Sequence, residues 1–523
     1  MDFLNTPGQV PAADSGWLSR LGDRKTVLLI VLFSCLVSFF NHLYSTHVLF
    51  NDEAYELMIA EGVPLDRFYF MGPASAYPKG AVAPIEMGPL YINRFLFWLF
   101  GDFFTERDDF LIPIHIFYAM TLALSCAAYF YALRSSVSRE WAAIGSLMLA
   151  SSYMTLLFNQ FVSRNVMTIL WGCLLMIYIP RLLHTSQKNM GQNLRTALMC
   201  SFLALAGAWT FTTYLLATTA IWAGLGLTWL RFNRKPSNLG WMVFSGGAFA
   251  LTLLTFYHTD TFSVHDILFR GTYVVESGSN YAHHVLLTFL APVYYATSGT
   301  FFTEDVYHLV GRQTLALPLG LCYFIGLCAA LLSRRPALFL AAVTWIFAVF
   351  LCALGGPNPK YLYTFFPLIL FIALFGVFVL WVFLGKLLGP IKSYVLVGLL
   401  LLSAVAIDFW YVWAWKNSKD MDALNLHAKK GALRAVTIAE SGAQTYLHFG
   451  SGYDILNWYL WPKETGGKVR CSPVVYGFPE LFSQYPPGAG AVLLIDYPPE
   501  HIPRDLNGWV PPPQVKVVVM DLE

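Results

Sequence analysis

Residues 366–384 read FPLILFIALFGVFVLWVFL, an apolar run without a charged side chain. A helix needs about 20 predominantly apolar residues to cross a bilayer, and this run is close to that length. Similar runs recur along the 523 residues, which are 57% hydrophobic and 12% charged, with a mean hydropathy of +0.55. Soluble domains carry about 25% charged residues. We therefore predict a polytopic α-helical membrane protein, and this composition excludes a cytosolic enzyme, a disordered chain and a disulfide-stapled secreted domain.

The formal net charge of +2 and the absence of a Lys/Arg run give no indication of a nucleic-acid partner. Seven of the eight cysteines lie within apolar runs, where cysteine usually acts as a small hydrophobic residue, and only Cys471 lies in a polar region. The cysteines therefore predict neither a disulfide framework nor a metal site.

Apolar runs of spanning length predict about eleven transmembrane helices. The predicted spans are residues 26–46, 110–133, 140–158, 165–183, 196–211, 212–231, 241–258, 314–333, 336–355, 361–385 and 391–413. The fifth and sixth share a run that we expect to break between Thr210 and Thr213. The first span lacks a following small-residue cleavage site, so it is interpreted as an uncleaved signal anchor.

The distribution of Lys and Arg predicts the orientation, because short cytoplasmic loops are enriched in these residues. With the N-terminus in the cytoplasm, the short outer loops contain only Arg164 and Lys360, and all other short-loop cations fall on the cytoplasmic side. An odd number of spans places the tail outside. The pattern predicts a multi-pass protein of the inner (plasma) membrane, and favours a bacterial one.

We divide the sequence into a transmembrane domain, residues 1–413, and a small soluble extracytoplasmic domain, residues 414–523. The first carries two long outer loops, 47–109 and 259–313, with interfacial helices. The tail contains β-like runs at 444–450, 491–497 and 514–520 between Pro/Gly-rich turns, which predicts a small α/β fold.

The predicted spans carry no charged residue at their apolar centres, and Asp408, near the outer end of the last span, comes closest. Ion-coupled transporters need ionisable groups at membrane depth. The sequence therefore disfavours a coupled transporter, and we expect the chemistry at the outer face.

An acidic pair follows the first span in THVLFNDEAYELMIAEG, residues 46–62. Asp52 and Glu53 stand at the start of a predicted interfacial helix whose apolar side includes Leu57. Acidic residues in the first turn of a helix are also ordinary, since they complement its dipole.

Isolated cations share this outer face with carboxylates. The first loop adds Lys79 and Glu86 in a Pro-rich stretch, and the two short loops add Arg164 and Lys360, the latter beside Tyr361. This combination suits an anionic lipid-linked substrate, with a base for an acceptor hydroxyl and cations for a phosphate leaving group.

These motifs resemble the GT-C class of integral-membrane glycosyltransferases that use polyprenyl-phosphate sugars. The pattern is most similar to the family 39-like branch of protein O-mannosyltransferases and lipid A aminoarabinose transferases. The matching motifs are Asp52-Glu53, Glu86 followed by Gly88-Pro89-Leu90-Tyr91, Leu99-Phe100-Gly101, Ser163-Arg164-Asn165, and Lys360-Tyr361-Leu362 ahead of Phe366-Pro367. Two features depart from the family. Thr168 stands where many members have an acidic residue, and Lys360 is alone where a richer basic or histidine context is common.

The resemblance implies an inverting transfer of a sugar from polyprenyl phosphate to an acceptor hydroxyl on the outer face, in cell-envelope chemistry. It implies Asp52 as the base and Glu53 or Glu86 as the carboxylate that orients the acceptor or the base. The residues implied to bind the donor phosphate or sugar are Lys79, Arg164, Lys360, Tyr361 and, more weakly, Arg270.

The partners implied are membrane lipid, the polyprenyl-phosphate-linked sugar as donor, and an acceptor glycan, lipid or protein. The class includes metal-dependent and metal-independent members, and neither long outer loop contains a DxD pair in support of a divalent ion. We therefore assign no metal-binding residue, and a divalent metal stays open but unsupported. Three alternatives stay open: a lipid-linked glycan transporter, a noncatalytic subunit of a glycan assembly complex, and an oligosaccharide-transferring relative.

Overall fold

The computed structural model is predominantly helical. The part of the chain that it describes comprises residues 22–43, 57–58, 60–61, 87–103, 107–160, 164–184, 189–211, 214–256, 281–293, 315–353, 362–416, 429–430, 445–449, 458, 469–471, 491–495 and 516–520.

The helices follow the apolar runs. The described α-helices are α1 (Gly22–Leu43), α2 (Met87–Phe100), α3 (Arg107–Arg134), α4 (Arg139–Ser151), α5 (Tyr153–Gln160), α6 (Arg164–Tyr178), α7 (Met190–Thr210), α8 (Tyr214–Phe232), α9 (Pro236–Phe256), α10 (Tyr281–Leu290), α11 (Leu317–Leu332), α12 (Pro336–Cys352), α13 (Phe366–Leu388) and α14 (Pro390–Lys416). Short 3₁₀ helices occupy Gly101–Phe103 and Ile179–His184. Proline at the first or second position opens several of them, because the missing N–H would have no partner there anyway.

Within the described ranges, five helices are long and apolar enough to cross a membrane. A sixth crossing results if α11 and α12, bent by 119° at their junction, form one span. This confirms a polytopic membrane protein. Each of the eleven predicted spans coincides with one or more helices, but shorter helices such as α4 and α5 do not qualify singly, and the number eleven stays a prediction.

Two predicted spans differ in detail from the structure. Residues 140–158 form two helices, α4 and α5, separated at Ser152, and the span at 165–183 ends in the 3₁₀ helix Ile179–His184. The predicted break in the 196–231 run is confirmed, since α7 ends at Thr210 and α8 begins at Tyr214.

The chain divides into two compact units. The helical unit comprises Met1–Ser45 and His115–Asn417, and the second unit comprises Thr46–Ile114 and Ser418–Glu523. The outer loop 47–109, which the sequence analysis placed with the transmembrane domain, is therefore grouped with the tail.

Helix α13 forms the core of the helical unit. All but one of its residues from Phe366 to Val377 are buried, whereas α14 exposes leucines and tryptophans along most of its length, as a lipid-facing helix does. Two glycines allow α13 to pack against α11 backbone to backbone. A Cβ added at Gly326 would collide with the carbonyl oxygen of Ile372, and one added at Gly376 with that of Cys322.

Arginines and lysines gather at one end of the helical unit, here called the cationic end, which comprises the start of α1 and the turns after α3, α8 and α11. Asp23 in α1 accepts an ion-paired hydrogen bond from Arg139 at 2.6 Å and lies 3.6 Å from Arg134. Elsewhere at this end, Arg231 of α8 donates to the carbonyl oxygen of Leu331 in α11 at 2.8 Å.

The second unit contains a four-stranded parallel sheet. Its strands are β1 (Thr445–Phe449), β2 (Val469–Cys471), β3 (Ala491–Ile495) and β4 (Lys516–Met520), in the order β2-β1-β3-β4. The register pairs Thr445 with Ala491, and Ala491 with Lys516. The three predicted strands are confirmed, and β2 was not predicted. Parallel strands require crossover connections. Because those connections lie largely outside the described residues, the helical part of the α/β domain stays a prediction.

Candidate functional site

Most residues predicted to form the site lie outside the described residues. They are Asp52, Glu53, Lys79, Glu86, Arg270, Lys360 and Tyr361. Arg164 is the first residue of α6, but its side chain is likewise outside the described set. Their mutual geometry is therefore a prediction, and the structure defines the elements that flank them.

Two of the predicted cation-bearing loops lead into neighbouring elements of the helical unit. Helix α6 starts at Arg164, and residues 362–365 follow Tyr361 directly and lead into α13. A Cβ built on Gly172 of α6 lies 3.8 Å from the carbonyl oxygen of Thr364, which is ordinary van der Waals distance. The helix that begins at Arg164 therefore packs beside the segment that follows Lys360 and Tyr361.

A buried polar cluster lies at the break between α4 and α5 and includes Tyr363 of the segment 362–365. Ser152 caps α5: its Oγ accepts from the main-chain N–H of Thr155 at 3.4 Å and lies 2.8 Å from the Thr155 hydroxyl. The Tyr363 hydroxyl interacts with the same Thr155 side chain, and the Asp408 carboxyl accepts a hydrogen bond from the main-chain N–H of Tyr153. The cluster thus links α5, α14 and the segment 362–365.

Asp408 is the polar group that sequence reasoning underestimated. Its side chain is only 2% exposed, and among the described residues its Oδ1 has no hydrogen-bond partner. A carboxyl group inside a helical bundle is costly to bury unless it is hydrogen-bonded, and the free N–H groups and positive dipole end of α5 supply that compensation. A single Asp in an otherwise apolar run was the available signal, but the partner helix end could not be identified without the fold.

An apolar cavity with a volume of about 90 Å³, open to the outside, runs between α6, α8, α12 and α13. At the cationic end it is lined by Ser135 and Ala337. At its other end it is lined by Tyr214, the first residue of α8, and by Thr364, in the segment that precedes α13. Most of the lining between these ends is aliphatic or aromatic, with Leu340 as one example. The cavity therefore offers apolar contacts along most of its length.

Two hydroxyl groups distinguish one end of this cavity. Tyr214 is 1% exposed and Thr364 is 4% exposed, and in the described part of the chain neither hydroxyl has a hydrogen-bond partner. A Cβ built on Gly172 would lie 4.0 Å from the Tyr214 hydroxyl, so both polar groups border the same stretch of α6. Buried hydroxyls are normally satisfied by protein, water or ligand. The cavity thus combines an apolar length with a polar end beside α6 and residues 362–365.

The second unit holds the helical elements of the first outer loop. Leu57, Met58 and Ala60 are buried in helical backbone, which agrees with an apolar side on the predicted helix that follows Asp52 and Glu53. Helix α2 follows Glu86 by one residue and buries Asn93 completely, with no hydrogen-bond partner for its amide within the described residues.

No group of three or more His, Cys, Asp or Glu side chains in the described ranges is placed to hold a metal ion. The triplet Asp420-Met421-Asp422 at the start of the tail has the DxD spacing, although the two long outer loops do not, and it lies outside the described residues.

No protein-family model and no curated protein sequence matches the chain. Solved structures do. The oligosaccharyltransferase of Archaeoglobus fulgidus, tethered to an acceptor peptide with an NVT sequon, superposes with a TM-score of 0.51 at 12% identity over 89% of this chain and 66% of its own. The same enzyme in complex with Zn and sulfate superposes with a TM-score of 0.50 at 13% identity, over 89% of this chain and 64% of its own.

ArnT from Cupriavidus metallidurans bound to undecaprenyl phosphate also matches, with a TM-score of 0.49 at 14% identity over 94% of this chain and 89% of its own. The chain spans just under two thirds of the length of the archaeal oligosaccharyltransferase. The archaeal oligosaccharyltransferase is a GT-C glycosyltransferase, so the fold of the chain is the GT-C fold and the resemblance seen in the sequence is confirmed at that level.

Proposed function

We propose that this protein transfers a sugar from a polyprenyl-phosphate donor to an acceptor hydroxyl, at the membrane face opposite the cationic end. The observation that carries the proposal is the apolar cavity inside a GT-C fold, with its polar end bordered by α6 and residues 362–365. An isoprenoid chain needs an apolar slot of this kind, while its phosphate needs cations, and Arg164 and Lys360 stand in the two segments that lead into those elements.

The donor phosphate would be bound by Lys79, Arg164 and Lys360, with Arg270 and Tyr361 as further contacts. A phosphate leaving group carries little basicity, so it needs charge neutralisation more than it needs a general acid. Isolated cations above an apolar slot supply that neutralisation.

Asp52 would act as the general base. It takes the proton from the acceptor hydroxyl while the acceptor oxygen bonds to the anomeric carbon and the bond from that carbon to the phosphate oxygen breaks. The electron pair of the broken bond leaves with the phosphate, and a single displacement of this kind inverts the anomeric configuration. Glu53 or Glu86 would orient the acceptor or the Asp52 carboxylate, which keeps the base in line with the incoming hydroxyl.

The proposed orientation places the N-terminus and the cationic end in the cytoplasm, with the site and the tail outside. Short loops rich in arginine and lysine stay cytoplasmic. This arrangement corresponds to a bacterial inner membrane, where lipid-linked sugars serve envelope assembly. It leaves the sugar to be identified by experiment, along with the acceptor, which is a glycan, a lipid or a protein. No metal is assigned to the reaction.

A reconstituted transfer assay tests the proposal. Wild type, Asp52→Asn and the matched control Asp66→Asn, which makes the same chemical change in the same loop, are incubated with radiolabelled polyprenyl-phosphate sugars and extracted membrane lipids and glycans. We expect wild-type and Asp66→Asn turnover with one donor, and a loss of about a hundredfold or more in Asp52→Asn, the range for a general base.

Two other results would redirect the assignment. Turnover that survives Asp52→Asn removes this residue from catalysis and makes Glu53 and Glu86 the next candidates. An absence of turnover with every donor contradicts the transferase proposal and favours a noncatalytic assembly subunit or a lipid-linked glycan transporter.

A further inference from the structure

We propose that a cleft at the cationic end binds the phosphate of an anionic glycerophospholipid from the adjacent leaflet. The cleft, here called the basic cleft, is lined by Leu183, Phe232, Asn233, Lys235 and Pro336. It lies at the opposite end of the helical unit from the polar end of the apolar cavity, and the proposal does not depend on the transfer reaction.

Side-chain hydrogen bonds fix the 3₁₀ helix Ile179–His184 and the two turns that form the basic cleft. Asn233 and Asn238 both donate through Nδ2 to the carbonyl oxygen of Leu183, at 2.5 and 2.6 Å. Arg231 donates to the carbonyl oxygen of Leu331 at 2.8 Å, and its guanidinium lies 4.3 Å from the centre of the Phe339 ring. The 3₁₀ helix Ile179–His184 and the turns after α8 and after α11 are therefore held together before any ligand binds.

The turns after α8 and α11 carry an excess of positive charge. The cations are Arg231, Arg234, Lys235, Arg334 and Arg335, and none of them forms an ion pair within the described part of the chain. The sequence contains no Asp or Glu at 229–240 or 331–337. By contrast, Arg134 and Arg139 at the same cationic end lie against Asp23.

The start of α12 adds a second attraction for an anion. Pro336 lines the basic cleft and opens α12, and Arg335 at the N-cap makes no side-chain capping bond. The first turn of a helix presents free N–H groups and a partial positive charge, which favour a phosphate.

Apolar side chains beside the basic cleft indicate that the phosphate belongs to a lipid. Leu230, next to Arg231, is 48% exposed, and Leu332, next to the turn with Arg334, is 69% exposed. In a membrane-spanning helix, exposed leucines of this kind face acyl chains. A phospholipid can therefore lay its chains along these leucines while its phosphate meets Lys235 and Arg335, as in other basic pockets between spanning helices on the cytoplasmic side.

Lipid binding to the full-length protein tests this site. The purified protein in detergent is titrated with dioctanoyl phosphatidylglycerol or dioctanoyl phosphatidylcholine, and bound lipid is counted by native mass spectrometry. We expect the wild type to prefer phosphatidylglycerol. The double variant K235Q/R335Q should raise the Kd for phosphatidylglycerol by about 25-fold, since each cation near an anionic lipid contributes a factor of about five.

Matched variants make the result decisive. R195Q/K392Q removes two exposed cations, on α7 and α14, that do not line the basic cleft, and should change the Kd by less than about twofold. K235R/R335K keeps the charge and should retain binding. Equal binding of both lipids by the wild type overturns the proposal, as does an equal loss in R195Q/K392Q or a loss in K235R/R335K. Displacement of phosphatidylglycerol by equimolar undecaprenyl phosphate or by millimolar inorganic phosphate would also overturn it, assigning the cleft to the isoprenoid lipid or to free phosphate.

Discussion

Replacing Gly376 by alanine tests how tightly α13 and α11 cross. In the wild type, a Cβ at Gly376 would meet the carbonyl oxygen of Cys322 and lie 2.8 Å from the main-chain nitrogen of Gly326. Both obstacles belong to the backbone, which cannot rotate away as a side chain can. The two helices must therefore separate by roughly 1 Å, a gap that forfeits about a quarter to a half of the dispersion energy of each contact at the crossing.

The expected cost follows from two opposing effects. Overpacking of a well-packed core destabilises by about 1–3 kcal/mol, while Gly→Ala in a helix gains up to about 1 kcal/mol from propensity. We expect Gly376→Ala to lower the free energy of unfolding by about 1–2 kcal/mol. Gly398→Ala on α14 is the matched control, because nothing lies within 4 Å of its Cβ, and it should be neutral or slightly stabilising.

Reversible unfolding by SDS in mixed micelles, followed by tryptophan fluorescence, measures both variants. The double variant of Gly326 and Gly376 should cost less than the sum of the single variants, because one separation of the helices makes room for both methyl groups. If Gly376→Ala is as stable as Gly398→Ala, α11 and α13 do not pack backbone to backbone and the reasoning fails.

Three further predictions concern other parts of the helical unit. Leu340→Trp, which fills the apolar cavity, should lower kcat/KM for a long-chain polyprenyl donor by about tenfold, equivalent to about two buried methylenes, without affecting a short-chain donor. The lipid-facing Leu321→Trp is the control. Equal effects of Leu340→Trp on both donors would contradict a cavity that binds the chain. Asp408→Leu should lower the free energy of unfolding by about 1–3 kcal/mol, because it leaves the N–H of Tyr153 unpaired. Asp408→Asn keeps an acceptor and should lower the free energy of unfolding by less. Equal losses for the two variants in the micelle assay would refute a capping role for Asp408. Asp23→Asn should lower the free energy of unfolding by at most about 1 kcal/mol at low ionic strength and leave it unchanged at about 1 M salt, since the ion pair with Arg139 is partly exposed. A loss that does not depend on salt would argue against an electrostatic origin.

The sequence by itself determined where the apolar helices lie and where the tail forms three of its described strands. These properties are local: a long apolar run must satisfy its own backbone in a bilayer, as residues 366–384 do in α13, and a short β-branched run such as 516–520 favours a strand. The order of the outer-face motifs, beginning with Asp52, was sufficient to indicate the GT-C class. The geometry of the predicted site itself stays a prediction, because its residues lie in loops outside the described residues.

Tertiary structure alone decided which helices meet and what lies between them. The break at Ser152 could not be predicted from the apolar run that contains it. The contact that accompanies the break is with Asp408, which reaches the first residue of α5 from a helix far along the chain. The crossing at Gly326 and Gly376, the apolar cavity and the basic cleft likewise depend on contacts between residues distant in sequence. The length of an apolar run decides that a helix enters the bilayer. It does not decide which helix it packs against, because lipid tails are as apolar as the side chains of any neighbouring helix. Small residues, hydrogen bonds and shape therefore select its partners, and these are properties of pairs that no single run of sequence contains.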